Sequence, residues 1–210
     1  ESMSNVEYYT TVARWGTRLG SMPFYDRLER ARLTVSPDER FGHISGMVET
    51  AENLAKKYKI SREEQDAYSL LSHKRAIAAI ESGKFQEEVV PVVIPQPTGQ
   101  ALIFDQDEGP RKDTSLARLA TLPTVFREGT VTAGNSSSQN DAASVCLVVG
   151  ADKLDELHLE PLAFLRGWAS VGVHPAHMGI GPVPAVERLF QKTGLSWDDI
   201  GLIELNEAFA

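Results

Sequence analysis

Between residues 47 and 82 the apolar positions return at helical intervals. Met47, Leu54, Ala55 and Tyr58 recur among Glu, Lys and Asn, which predicts a helix over 47–59. Ser61 then opens S-R-E-E, the pattern of a reciprocal cap in which a serine hydroxyl and a glutamate carboxylate each satisfy a backbone N–H. A second helix is expected from there to about Ser82, with Ala67, Leu70, Leu71, Ile77, Ala78 and Ile80 on its apolar face and Gly83 as its C-cap. The short K-I-S link makes the two an αα-hairpin. Residues 1–42 show no sustained period, apart from a stretch at 23–33 with helical character.

Beyond residue 88 the pattern turns toward strands. V-V-P-V-V-I at 89–94 is β-branched, and Pro91 confines it to a sheet edge. F-D-Q-D-E-G-P-R at 104–111 reads as an acidic loop, and D-T-S-L-A-R-L at 113–119 as a capped helix ending near Pro123. G-T-V-T-A-G-N-S-S-S-Q-N-D-A at 129–142 is a small-residue loop. Every residue from Val145 to Val149 is apolar, which predicts a buried strand with Cys146 inside it as a small hydrophobe. A strand over 163–173, an amphipathic helix over 184–193 and a strand over 198–205 complete a βαβ-like unit, hence an α/β fold.

Composition narrows the partners. The 210 residues suffice for one large or two small domains, and the hydrophobic share of 42% is ordinary for a globular protein. A net charge of −8 argues against nucleic acid or an anionic membrane as the main partner, but leaves room for one small anionic ligand at a local cationic pocket. A single cysteine excludes an internal disulfide framework and fits a reducing, cytoplasmic setting. No apolar run approaches the roughly 18 residues of a membrane span. Glu1 in place of Met, and a polar cluster directly after the last strand, are the pattern expected of a segment of a longer chain.

Three stretches can carry chemistry. In the 129–142 loop Gly134 lacks a Cβ and Ser136, Ser137 and Ser138 offer hydroxyls, which suits either a close-lying ligand or an ordinary hydrogen-bonded turn. H-P-A-H-M-G-I-G-P-V-P-A at 174–185 holds Met178 in a rigid loop before a helix. Its His174 and His177 lack further ligands nearby and read as surface histidines, so no metal is expected. N-E-A-F-A at 206–210 puts a carboxamide at the end of a strand, where it can serve an oxyanion or cap a following helix.

Seven segments, taken in order, resemble the thiolase family. They are E-S-M-S at the start, M-V-E-T-A-E-N-L-A at 47–55, S-R-E-E-Q-D at 61–66, F-D-Q-D-E-G-P-R at 104–111, G-T-V-T-A-G-N-S-S-S-Q-N-D at 129–141, M-G-I-G-P-V-P-A at 178–185 and N-E-A-F-A at 206–210. The resemblance implies part of a five-layered αβαβα fold with a mainly helical α/β loop domain inserted. Residues 1–140 would then be the end of the first half with the inserted CoA-binding loop domain, 141–157 the returning strand, and 158–210 the start of the second half. Activity implied is acyl-CoA C-acyltransfer between a cysteine thioester and CoA or acetyl-CoA, making or cleaving 3-ketoacyl-CoA. Coenzyme A and its acyl esters are substrates, with no permanently bound cofactor, and a homodimer or homotetramer is the family habit.

By motif position the resemblance implies Arg111 near the CoA nucleotide, with Lys112 beside it, and Phe126, Ala133, Gly134 and Ser137 along pantetheine. It implies Met47 and Met178 in the acyl pocket, Ala208 and Phe209 at the same tunnel, and Asn206 holding an oxyanion-hole water. The family's nucleophilic cysteine precedes E-S-M-S, and its G-H-P histidine and second cysteine follow N-E-A-F-A, so none falls in this stretch. Gly46 stands before Met47 where many thiolases have histidine. The alternative is a thiolase-like protein that binds acyl-CoA or lipid without catalysis.

Overall fold

The structure, a computed structural model, describes residues 2–210. In chain order its elements are β1 (Tyr8–Tyr9), β2 (Tyr25–Asp26), α1 (Arg27–Leu33), α2 (Asp38–Phe41), α3 (Met47–Tyr58), α4 (Arg62–Glu81), β3 (Val92–Ile94), β4 (Leu102–Phe104), α5 (Leu116–Ala120), α6 (Leu154–Leu157) and α7 (Pro182–Thr193). Short 3-10 turns lie at Pro175–Ile180 and Trp197–Asp199, among others. Two compact units result, one of residues up to Leu54 with Gln139–Leu205, the other of Ala55–Ser138 with Asn206–Ala210.

In the first unit β1 and β2 pair antiparallel, Tyr9 opposite Tyr25. The Asp26 carboxylate then caps α1 by accepting the Leu28 N–H at 2.8 Å. The Asp141 carboxylate accepts the Ser4 backbone N–H at 2.9 Å and the Ser4 hydroxyl, so the E-S-M-S and S-Q-N-D segments meet. Helix α7 lies along the 167–170 segment. A Cβ on Gly167 would stand 2.7 Å from Thr193 Cγ2, and the Lys192 ammonium sits 5.2 Å over the Trp168 ring. Gly194 ends the helix in the left-handed conformation (φ +73°), its N–H donating to Phe190 O at 2.8 Å, while Phe190 meets Trp197 edge-on at 5.0 Å.

In the second unit the cap expected at Ser61 is present. Its N–H donates to Glu64 Oε2 at 2.7 Å and its hydroxyl accepts the Glu64 N–H at 3.1 Å. The helix runs to Glu81, and Gly83 follows at φ +73°. Its inward face differs from expectation. Gln65, Asp66 and Ser69 are the buried positions, whereas Ala67, Leu71 and Ala78 are exposed. The helix packs on a polar loop, so its early turns bury groups that find hydrogen-bond partners there rather than methyls. Leu119 and Val131, each 2% exposed, supply the apolar part of that core. The edge strand predicted at 89–94 pairs, over Val92–Ile94, with β4, a strand the acidic run after Phe104 obscured.

Cys146 is a correction: it is exposed rather than buried. Its neighbours Val145, Leu147 and Val148 are 98%, 74% and 81% exposed. An all-apolar strand is buried only when both faces are covered and its backbone is paired. Among the described residues nothing pairs with 143–149, with 163–173 or with 200–205 as a named strand.

Candidate active site

The second unit builds its site around Asn135, which is 2% exposed. The Asn135 carboxamide oxygen accepts the Thr132 N–H at 2.7 Å, and its nitrogen donates to Thr130 O at 3.0 Å and to Asp66 Oδ1 at 3.1 Å. Asp66 Oδ2 accepts from Arg62 Nε at 2.8 Å, and the Arg62 fork also donates to the Leu119 and Leu122 carbonyls. Gln65 Nε2 donates to Thr130 Oγ1 at 2.8 Å. The small-residue loop is therefore clamped to α4 by side chains whose hydrogen bonds are largely buried.

Onto this clamped loop the chain's last residues are bonded. Ser137 N–H donates to Ala208 O at 2.9 Å, Ala210 N–H donates to Asn135 O at 2.9 Å, and Ser136 and Phe209 form an antiparallel bridge. Ser137, Ala208 and Phe209 thus come together, with Ala133 and Gly134 in the same loop. A Cβ on Gly134 would stand 2.5 Å from Leu122 Cδ1 and 2.6 Å from Leu119 Cδ2, so only glycine lets the loop lie this close to α5. Phe126, 37% exposed, begins the turn that its carbonyl closes by accepting the Gly129 N–H at 3.0 Å. Asn206 is exposed at the start of the bridged segment.

Arg111 belongs to the same unit, and its backbone N–H donates to His73 Nδ1 on α4 at 3.2 Å, leaving the side chain exposed. Lys112 reaches Glu81 Oε1 at 2.6 Å, so Arg111 is the cation of the pair that carries no such partner among the described residues. The depression bordered by Ile103–Pro110, about 380 Å³, is lined by Asp105, Asp107 and Glu108 and would repel a polyphosphate.

Met47 and Met178 lie in the first unit. Met47 opens α3, half-buried, and Met178 is 47% exposed on the 3-10 turn. These two elements are joined where Asn53 Nδ2 donates to Ala176 O at 3.0 Å and Leu54 Cδ1 fills the space a Gly179 Cβ would occupy. Gly46 takes φ +128°, a conformation side chains rarely adopt, so the histidine-to-glycine departure involves the backbone as well. Ser45 donates its N–H and its hydroxyl to Glu49 Oε2 at 2.7 and 2.6 Å, holding that carboxyl below the usual glutamate range. His174 caps the 3-10 turn by accepting the Ala176 N–H and meets His177 at 6.0 Å; the described residues contain no metal-binding cluster.

Neither Asp66 nor Asn135 was a candidate on sequence, and Glu207, though inside N-E-A-F-A, had no role. The available signal was polar periodicity: Gln65, Asp66, Ser69, Ser72 and His73 recur at helical spacing, a stripe that must face polar partners if buried.

This chain belongs to the thiolase family. The profile of the thiolase N-terminal domain matches residues 1–152, and that of the thiolase C-terminal domain matches 159–210. It is 45% identical over its whole length to an acetyl-CoA acetyltransferase of Chromobacterium violaceum, of which it covers 53%, and 43% identical to a probable acetyl-CoA acyltransferase of Staphylococcus aureus, of which it covers 52%. Among solved structures, the Bacillus anthracis acetyl-CoA acetyltransferase superposes with a TM-score of 0.87 at 41% identity, over 97% of this chain and 50% of that one. Human mitochondrial 3-ketoacyl-CoA thiolase gives 0.83 at 38% identity, over 99% and 51%. The chain therefore has the α/β fold of thiolases and spans about half the length of the curated relatives it matches.

Proposed function

We propose that the full-length protein is an acyl-CoA C-acyltransferase that makes or cleaves 3-ketoacyl-CoA, and that this chain supplies its CoA-binding and oxyanion elements. The acyl group passes between a cysteine thioester, formed on a residue outside this chain, and the thiol of CoA or the α-carbon of acetyl-CoA. The loop domain and first-half residues extend to about 140, the segment 141–157, which ends in α6, returns to the first half, and the second half begins at 158. Arg111 meets the CoA phosphates; Phe126, Ala133, Gly134 and Ser137 line pantetheine, with Ala208 and Phe209 beside them; Met47 and Met178 serve the acyl group. Asn206 holds the water that donates to the thioester oxygen, where negative charge develops.

The observation that carries this reading is the backbone pairing of Asn135, Ser136 and Ser137 with Ala210, Phe209 and Ala208, which joins the glycine-serine loop to the asparagine segment. A narrow tunnel for pantetheine calls for small side chains and fixed backbone groups, and this junction has both. The lone cysteine fits a reducing, cytoplasmic setting, and the acidic composition fits a small substrate rather than nucleic acid or an anionic membrane. Acyl-CoA and acetyl-CoA as substrates, and a homo-oligomer, are what the thiolase family implies.

Calorimetric titration of the full-length protein with CoA tests the binding assignment. Arg111→Ala should weaken CoA about tenfold, in keeping with one charge-assisted phosphate contact, and should leave the binding of pantetheine, which carries no phosphate, unaffected. Equal CoA affinity in the variant would remove Arg111 from the site. Acetyl transfer by the same preparation separates an enzyme from a thiolase-like protein that only holds acyl-CoA.

A further inference from the structure

Glu207 directly follows Asn206, and its carboxylate is bonded twice to α4. Tyr68 OH donates to Oε1 at 2.7 Å and Ser72 Oγ donates to Oε2 at 2.5 Å. Tyr68 and Ser72 are four residues apart, so one helix face presents both hydroxyls to one carboxylate. Ser72 first and Tyr68 second hold that carboxyl below the usual glutamate range against the effect of burial, with Arg75 adding its charge. The backbone beyond Glu207 is bonded to the loop through Ala208 O and Ala210 N–H. The 206–210 segment is thus held by α4 through a side chain and by the 132–138 loop through its main chain.

We propose that Glu207 is a positioning residue: its bonds to Tyr68 and Ser72 fix the orientation in which Asn206 presents its carboxamide. Residues 206 and 207 are joined by one planar peptide, so anchoring the Glu207 side chain on α4 restricts the orientation residue 206 can take. The inference rests on the thiolase reading for the consequence in turnover, but the anchoring itself is measurable without it.

The test uses the full-length protein with Glu207→Ala, the double variant Tyr68→Phe/Ser72→Ala, and Glu207→Gln. Thiolysis of acetoacetyl-CoA should show kcat reduced about tenfold or more in the first two, with KM for CoA within about twofold of the unsubstituted protein. Glu207→Gln, which keeps one acceptor and offers a donor the other hydroxyl can accept, should recover most of the rate. Hydrogen exchange at the Ser137 and Ala210 amides should accelerate about tenfold in the first two variants and little in the third. Wild-type kcat and unchanged exchange in both Glu207→Ala and the double variant would overturn the proposal. So would a loss confined to Glu207→Ala, since the effect would then not run through α4. If the unsubstituted protein performs no thiolysis, the thiolase reading fails, and the exchange rates alone decide the anchoring.

Discussion

Replacing Asp66 by asparagine tests whether α4 clamps the 130–136 loop, the proposed CoA-binding loop, in place. Asp66 is 3% exposed, and its two oxygens accept separately, Oδ1 from Asn135 Nδ2 at 3.1 Å and Oδ2 from Arg62 Nε at 2.8 Å. A carboxamide has one acceptor oxygen, so whichever way it turns, its NH2 faces one of these two donors. One buried donor is then left unsatisfied, which costs about 1–3 kcal/mol. The Arg62 charge, with its side chain 19% exposed, also loses its anionic partner. Breaking a fully buried ion pair costs about 3–5 kcal/mol. Arg62 retains the Leu119 and Leu122 carbonyls and Asn135 retains Thr130 O, so the low end applies. The expected destabilisation is about 1–3 kcal/mol. Chemical denaturation of the full-length protein followed by circular dichroism measures it, and the KM for CoA should rise as the 130–136 loop loosens. A loss below about 0.5 kcal/mol with an unchanged denaturant slope would refute the reasoning.

Gly134→Ala should destabilise by about 1–3 kcal/mol and raise the KM for CoA, because its Cβ meets Leu119 and Leu122, and Leu119 is too buried to swing away. A thermal melt and steady-state kinetics with CoA as the varied substrate check both. Glu49→Gln should flatten the acid limb of stability against pH. The lowered carboxyl of Glu49 stabilises the fold fully above its unfolded value, ordinarily near 4.5, and that stability is lost as pH falls through the lower folded value. Melting temperatures taken down that range, for both proteins, measure the difference. Lys59→Gly should be neutral or stabilising by up to about 1 kcal/mol, since Lys59 sits at φ +57° where glycine carries no Cβ penalty; denaturant midpoints decide it.

The helices were legible because their signals are local. Spacing at 47–58 and the serine–glutamate box at 61–64 act within a few residues, and both produce the expected hydrogen bonds. The inward face of α4 was not legible from apolar spacing, since what covers it is a polar loop 65 and 69 residues further along the chain from the positions it bonds, Gln65 to Thr130 and Asp66 to Asn135. Strand burial was inferred at 145–149 from composition, but a strand is a pairing and its partners are not a property of its own residues. Of the residues the motifs singled out, Ser137, Ala208 and Phe209 are bonded into one junction by the backbone. Glu207 stayed silent because its partners, Tyr68 and Ser72, are surface-type residues on a helix whose other side attracted the reading.

The most direct test of the whole account is CoA-dependent cleavage of acetoacetyl-CoA by the full-length protein, compared with its Asn206→Ala variant. Losing one oxyanion contact should lower kcat by about 10²–10³-fold with little change in the KM for CoA. No cleavage by the unsubstituted protein, or equal kcat in the two, would contradict it.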